Sequence, residues 1–356
     1  MVWRIIIFII LLNLDVVFAG NNTDISNNVT SSNVTSNALS EIFKIYPDKD
    51  FKWEEHRDIL PKKYAQIIEQ PAPVYGVPWM DLSNKKPKRL IDGGFIWVSL
   101  ESPVGIKSGN CTWYQINDQE FMQEKYMAFY EPSTFKGIDL RQKELDGLFG
   151  WLVLDTYTSL TPGKQDYLEG ELIEKHTLVK ILATILINGK KWLKLAEKKW
   201  VDGTRVALIT SAQRPNKIPP GANWIDINIY EQVLCAYEGD KMIYATLISS
   251  GLPSFDTPSG VFRIWGKAKM RKMSGGEKGK DYYFLEDVPY QMYFSHGVAI
   301  HAAYWHNNFG IRQSHGCVNV SPRDAKWLFE WTSPKVISKS FIKSTRSNPG
   351  TFVYVH

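Results

Sequence analysis

Cysteine is scarce in this chain. Three in 356 residues are far too few for a disulfide scaffold, and the odd number leaves at least one thiol to explain. No apolar run reaches the ~20 residues that a membrane-spanning helix needs. Neither sign of charge dominates: 42 Lys and Arg stand against 37 Asp and Glu, a net +5. That excess is too mild and too scattered to argue nucleic acid, and it suits a somewhat acidic surrounding. Hydrophobic residues at 44% and charged residues at 22% are near the average for globular chains, which excludes wholesale disorder, collagen and coiled coil. Aromatics are plentiful, with 13 Trp among them, and they suit half-buried pleated surfaces.

The first 19 residues read as an address. Arg4 supplies a positive start, Ile5–Leu12 an apolar stretch with Asp15 soon after its end, and Val17 and Ala19 small residues before Gly20. That order predicts a signal peptide and an exported, extracytoplasmic protein of periplasm or cell wall, with no stable membrane anchor after cleavage. A retained anchor is the alternative. Residues 20–45 are Asn/Ser/Thr-rich and predict a disordered tether. Asn21, Asn28, Asn33 and Asn110 stand in N-x-[ST] contexts, read here as polar composition only.

Comparing the chain with itself gives a repeat. The stretch Trp113–Met127 aligns with Trp192–Val206, matching Trp113 to Trp192, Ile116 to Leu195, Phe121 to Trp200 and Met122 to Val201. The shape is a short strand, a polar turn, then an aromatic-apolar strand. Alternating stretches precede each copy, at 94–100 and 178–187. Period-2 alternation between turn signals predicts two small all-β modules, 46–135 and 136–216. Their pattern resembles the SH3-like modules that accompany bacterial cell-wall enzymes. They serve either wall binding or as a spacer.

From Trp224 the pattern is denser. Alternation over 224–230, a hairpin over 232–248, and further strands at 290–294 and 298–302 predict a mostly β domain over 217–356. Ser321, Pro322 and Asp324 open its one supporting helix as N-cap, first-turn proline and first-turn acid. Residues 351–356 alternate and predict an added edge strand.

Four of the seven histidines, His296, His301, His306 and His315, fall within twenty residues, and Cys317 follows the last by two. A thiol beside imidazoles on a glycine turn is what a thiolate nucleophile needs: a nearby imidazolium lowers the thiol pKa. Gly316 lets backbone N–H groups face a developing oxyanion.

The order His301 then Ser314-His315-Gly316-Cys317-Val318-Asn319, with Cys317 sixteen positions after His301, resembles the active-site signature of the L,D-transpeptidase (YkuD) family. Thr257-Pro258-Ser259-Gly260-Val261-Phe262 is similar to that family's TP-x-G-x-[FY] strand start. The resemblance covers about Trp224–Pro334. It implies a YkuD-like β-sandwich or barrel domain with Cys317 as nucleophile and His301 as general base. It further implies that Ser314, His315 and Gly316 shape the turn, with the Gly316 and Cys317 N–H groups as oxyanion donors. The partners it implies are peptidoglycan stem peptides, both donor and acceptor. The donor forms a thioester with loss of D-Ala and passes to an amine in a 3→3 cross-link, with no metal or cofactor required. Ala302 stands where many members have Gly, and Asn319 where many have Arg. Both departures bear on how substrate is held and on which group orients His301, for which a carbonyl near Ala302 is expected.

Bland readings stand beside these. Cys235, on an apolar strand, reads as a buried small hydrophobe, and Cys111 is undetermined. His296 and His306 either line the cleft or are strand-end histidines. Tyr304 and Trp305, with Phe309, form either a substrate wall or packing under the loop. The His/Cys cluster could instead ligate zinc, though no closed-site spacing appears. A non-catalytic wall-binding protein is a further rival. With water as acceptor, the same site would be an L,D-carboxypeptidase.

Overall fold

The computed structural model describes residues 57–142, 144–165, 169–336 and 341–356. The expected leader and tether lie outside the described residues. Within them the chain forms 27 strands and one α-helix, so the molecule is mainly β, as its aromatic and alternating composition requires.

Two sheets build the C-terminal half. One runs in the order Gly260–Arg263, Phe352–Val355, Asn223–Asn228, Val233–Glu238, Lys241–Leu247, Ile138–Asp139. The other runs Val318–Val320, Val298–Ala302, Tyr283–Ser295, Phe95–Leu100, Lys63–Ile67, Met127–Phe129. A long hairpin partner, Gly266–Gly275, joins it at the 283–295 strand. Ile225, Ile227, Leu234 and Ala236 of the first sheet close on Met292, Ile300, Val318 and Val320 of the second, with Leu328 and Phe329 of the helix beside them. Burying some twenty such side chains, at ~1.5–3 kcal/mol each, is what holds the strands in this register.

The first sheet is buried on both faces. Its other side packs Trp224, Cys235, Tyr237 and Leu247 against Trp151, Ala207 and Ile209 from the stretch before it. Cys235 is therefore a fully buried apolar filler, and burial pushes its thiol well up. Double burial also explains why residues 224–227 and 233–237 are buried without a break instead of alternating. One expectation fails here. Phe352–Val355 is no edge strand: it pairs parallel with Asn223–Asn228 and antiparallel with Gly260–Arg263. Its Val353 and Val355, both buried, need a neighbour on each side.

The repeat is real down to backbone detail. Cys111–Asn117 and Glu120–Gln123 form one hairpin, Lys190–Ala196 and Lys199–Asp202 the other. Each has a positive-φ residue at the same turn position, Gln119 and Lys198. Each has a register irregularity two residues after its Trp, and each is followed by a single 3₁₀ turn, Glu124–Tyr126 and Gly203–Arg205. Trp113, Met122, Trp192 and Val201 fill the hairpin cores. The first repeat unit is stitched into the larger fold, because Phe95, Ile96 and Trp97 pair parallel with Tyr283, Phe284 and Leu285.

The helix Pro322–Trp331 begins as its sequence dictates, with the Ser321 hydroxyl accepting the Asp324 N–H at 3.2 Å. Asp324 does more than face the positive helix end. Its buried carboxylate accepts from Tyr244 Oη at 2.7 Å, Thr246 Oγ1 at 2.5 Å and Gly137 N–H at 2.9 Å. At the other end Lys267, fully buried, donates to the carbonyls of Phe329 and Thr332 at 2.5 and 3.0 Å. Burial pulls its ammonium down to about 7.

Candidate active site

His301 and Cys317 arrive on neighbouring parallel strands. Ile300 pairs with Val318, His301 with Asn319 and Ala302 with Val320. Ile300 and Ala302 point into the core, so Ala299 and His301 point to the opposite face. Cys317, one residue before Val318, falls beside Ala299, whose backbone hydrogen bond to the sulfur favours the thiolate. Thiol and imidazole are thus diagonal neighbours on one face. His301 is 2% exposed, while Cys317 is half-buried with Sγ 4.0 Å from the Gly297 carbonyl.

The imidazole is oriented as a base. His301 Nδ1 lies 3.1 Å from the Ala302 carbonyl. A carbonyl only accepts, so the proton is on Nδ1 and the Nε2 lone pair is free. The expected carbonyl near Ala302 is thus the one found.

Burial disfavours the charged form of both side chains. Burial pushes the Cys317 thiol up to about 11, against the Ala299 hydrogen bond. Burial pulls His301 down to about 4, opposed by its hydrogen bond to Ala302. The sequence expectation of a standing imidazolium that ionises the thiol is corrected here, because taking both groups out of water disfavours both charges.

The turn before Cys317 is tightly held. Gly316 sits at φ 110, a conformation that side chains rarely adopt. The Ser314 hydroxyl donates to the Cys317 carbonyl at 2.5 Å and accepts the Gly316 N–H at 3.1 Å. That second bond corrects another expectation, since the Gly316 N–H is already committed and is not an open oxyanion donor. The Cys317 N–H makes no hydrogen bond among the described residues. Thr257, quoted in the sequence only as part of a strand start, has a definite task. Its hydroxyl donates to the Gly316 carbonyl at 2.9 Å and accepts the Gly251 N–H at 3.0 Å. His315 is exposed, its ring centroid 4.4 Å from that of Phe255 and 5.0 Å from that of Tyr283.

The remaining candidates scatter. Tyr304 is 1% exposed and stacks on Tyr64 at 3.6 Å between centroids, its hydroxyl donating to the Glu286 carbonyl at 2.6 Å. It is core and lines no substrate surface, because it roofs the contact with the first repeat unit. Trp305 is half-buried, 5.7 Å from the His301 ring. His296 is an exposed hairpin-turn residue at φ 45. His306 is buried and faces Asn319, Nε2 to Nδ2 3.0 Å. Tyr283 and Phe255 were not singled out, although both touch the turn; the sequence separates them from Cys317 by 34 and 62 positions. Among the described residues no group of three His, Cys, Asp or Glu side chains is placed to hold a metal, and no helix is long and apolar enough to cross a membrane.

Residues 222–355 match the family model of the YkuD L,D-transpeptidase catalytic domain. The chain is 30% identical over 115 residues to a protein of Bacillus subtilis named as an L,D-transpeptidase, YciB, a match covering 30% of this chain and 59% of that one. Among solved structures, an Enterococcus faecium L,D-transpeptidase is 26% identical over 42% of this chain and 55% of its own, with a TM-score of 0.32. The catalytic domain of an E. faecium L,D-transpeptidase is 29% identical over 38% and 98%, with a TM-score of 0.31. A Mycobacterium smegmatis L,D-transpeptidase is 18% identical over 65% and 89%, with a TM-score of 0.32. The chain thus spans little more than half the length of the first relatives it matches.

Proposed function

We propose that the protein is an exported cysteine L,D-transpeptidase acting on peptidoglycan stem peptides. The observation that carries the reading is the parallel pairing of the His301 strand with the strand opened by Cys317, inside the stretch that matches the L,D-transpeptidase catalytic domain. On substrate binding, His301 Nε2 takes the Cys317 thiol proton as sulfur attacks the carbonyl of the bond between a diamino acid and D-Ala. The Cys317 N–H faces the oxyanion, a contribution of ~10²–10³-fold for one such donor. The imidazolium returns its proton to the departing D-Ala amine, leaving a thioester. An amine of a second stem, deprotonated by His301, attacks the thioester, releases the thiol and forms a 3→3 cross-link. The chemistry calls for no metal or cofactor.

In this reading residues 1–19 direct export, 20–45 tether, and the two repeat units are SH3-like modules occupying 46–135 and 136–216 ahead of a 217–356 catalytic domain. Purified protein incubated with disaccharide-tetrapeptides should release D-Ala and form cross-linked dimers, resolved by mass spectrometry of the muropeptides. Cys317→Ala and His301→Ala should each do neither. Undiminished D-Ala release in either variant refutes the assignment, and release without dimers makes water the acceptor.

A further inference from the structure

The second repeat unit reaches into the neighbourhood of the catalytic pair. Its turn between Leu172–Ile173 and Leu178–Ile181 places His176 at φ 66 against the 305–309 loop that follows the His301 strand. Lys175 Nζ donates to the Asn307 carbonyl at 3.1 Å. The His176 ring clusters with Phe135, 4.8 Å away, and the fully buried Phe309, 6.4 Å away, and those two rings are themselves 6.3 Å apart. From the end of the first unit, the Ser133 hydroxyl donates to Asn307 Oδ1. The His306 ring also packs on Phe309, 4.9 Å between centroids.

His306 then fixes Asn319. Its Nδ1 accepts the Asn308 N–H at 3.2 Å, and a neutral imidazole accepting at Nδ1 carries its proton on Nε2. That N–H faces the Asn319 amide. Two facing donors are incompatible, so the amide turns over. Oδ1, otherwise buried without a partner, then receives the His306 proton, and the NH₂ group takes its former direction. Asn319 is the register partner of His301.

We propose that the Lys175–His176 turn is a positioning element of the catalytic site, clamping the 305–309 loop so that His306 holds the Asn319 amide in one orientation beside His301. This rests on Cys317 and His301 performing acyl transfer as set out above. The second unit is then a working part of the site, whatever else it binds.

The test uses the full chain and D-Ala release from tetrapeptide stems. Lys175→Met and His176→Asn, the latter tolerant of positive φ, should each lower kcat roughly ten-fold, with KM within about two-fold and the thermal midpoint little changed. Lys175→Arg should restore kcat. In an Asn319→Ala background neither substitution should cost anything more, because both act through that amide. Unchanged kcat, or losses that multiply in the Asn319→Ala background, overturn the proposal. Histidine-labelled NMR of the unmutated chain gives a reading independent of variant folding: His306 should be the Nε2–H tautomer, and Nδ1–H would overturn the proposal. A Cys317→Ala control reads the underlying assignment separately. Release lost in that control with kcat intact in the turn variants removes this proposal alone, whereas release retained in it removes the assignment beneath.

Discussion

The resting thiol should ionise late, and that can be measured without substrate. Burial pushes Cys317 up to about 11, against about 8.5 for an ordinary cysteine. At pH 7 its thiolate fraction is then roughly one in 10⁴, compared with roughly three in 100 for the ordinary thiol. Iodoacetamide consumes thiolate, so alkylation of Cys317 should run roughly 300-fold slower than that of a free thiol on ionisation alone. The rate should climb about ten-fold per pH unit to near pH 10 with no plateau. Acylation by a stem peptide should behave otherwise, because in the proposed mechanism the thiol then passes its proton to His301, which burial keeps neutral down to about pH 4. Its acid limb belongs near pH 4 and not at the ordinary histidine value of about 6.5. His301→Ala separates the two: acylation should fall ~10²–10⁴-fold while the alkylation profile stays put. An alkylation plateau below pH 7 that disappears in His301→Ala would refute the reasoning, for it would reveal a standing thiolate–imidazolium pair.

Three further outcomes follow from the same geometry. Asp324→Ala strands the buried donors of Tyr244, Thr246 and Gly137, and at ~1–3 kcal/mol for each group left unpaired should lower stability by about 3–9 kcal/mol in urea unfolding. Thr257→Val removes the hydroxyl that joins Gly251 to Gly316; D-Ala release should fall at least ten-fold, alongside a stability loss of ~1–3 kcal/mol for each buried group left unpaired, and unchanged release would show that the turn holds itself. Glu286 is raised to about 7, chiefly by burial, above its unfolded value near 4.3. The folded state therefore binds the proton more tightly, so the stabilisation is complete below pH 4 and lost as pH rises through 7. Glu286→Gln should accordingly raise Tm by a few degrees at pH 8 and leave it unchanged at pH 4; an equal shift at both pH values would contradict that cause.

Local features were readable from sequence because their causes are local. Ser321, Pro322 and Asp324 cap the helix through neighbouring backbone, and the hairpin of Val233–Glu238 with Lys241–Leu247 is written as two apolar runs around a glycine turn. The His301–Cys317 spacing was legible as a resemblance because the motif is compact. What was not legible depends on long-range pairing. Nothing near Phe352 indicates that the strand is flanked on both sides, since its neighbours lie at 223–228 and 260–263. Sequence left Tyr304 open between substrate wall and packing because its partner, Tyr64, stands 240 positions earlier. The charge states of Cys317 and His301 were misjudged for the same reason. Composition shows that a thiol and an imidazole are near in sequence, but the desolvation that neutralises both comes from the fold around them.

The most direct test of the account is intact-protein mass spectrometry after incubation with a carbapenem, followed by peptide mapping. One covalent adduct per chain, carried on Cys317 and absent from Cys317→Ala, is the outcome expected of an accessible nucleophile backed by an imidazole. An unmodified protein, or an adduct on Cys111 or any serine with Cys317 untouched, would contradict it.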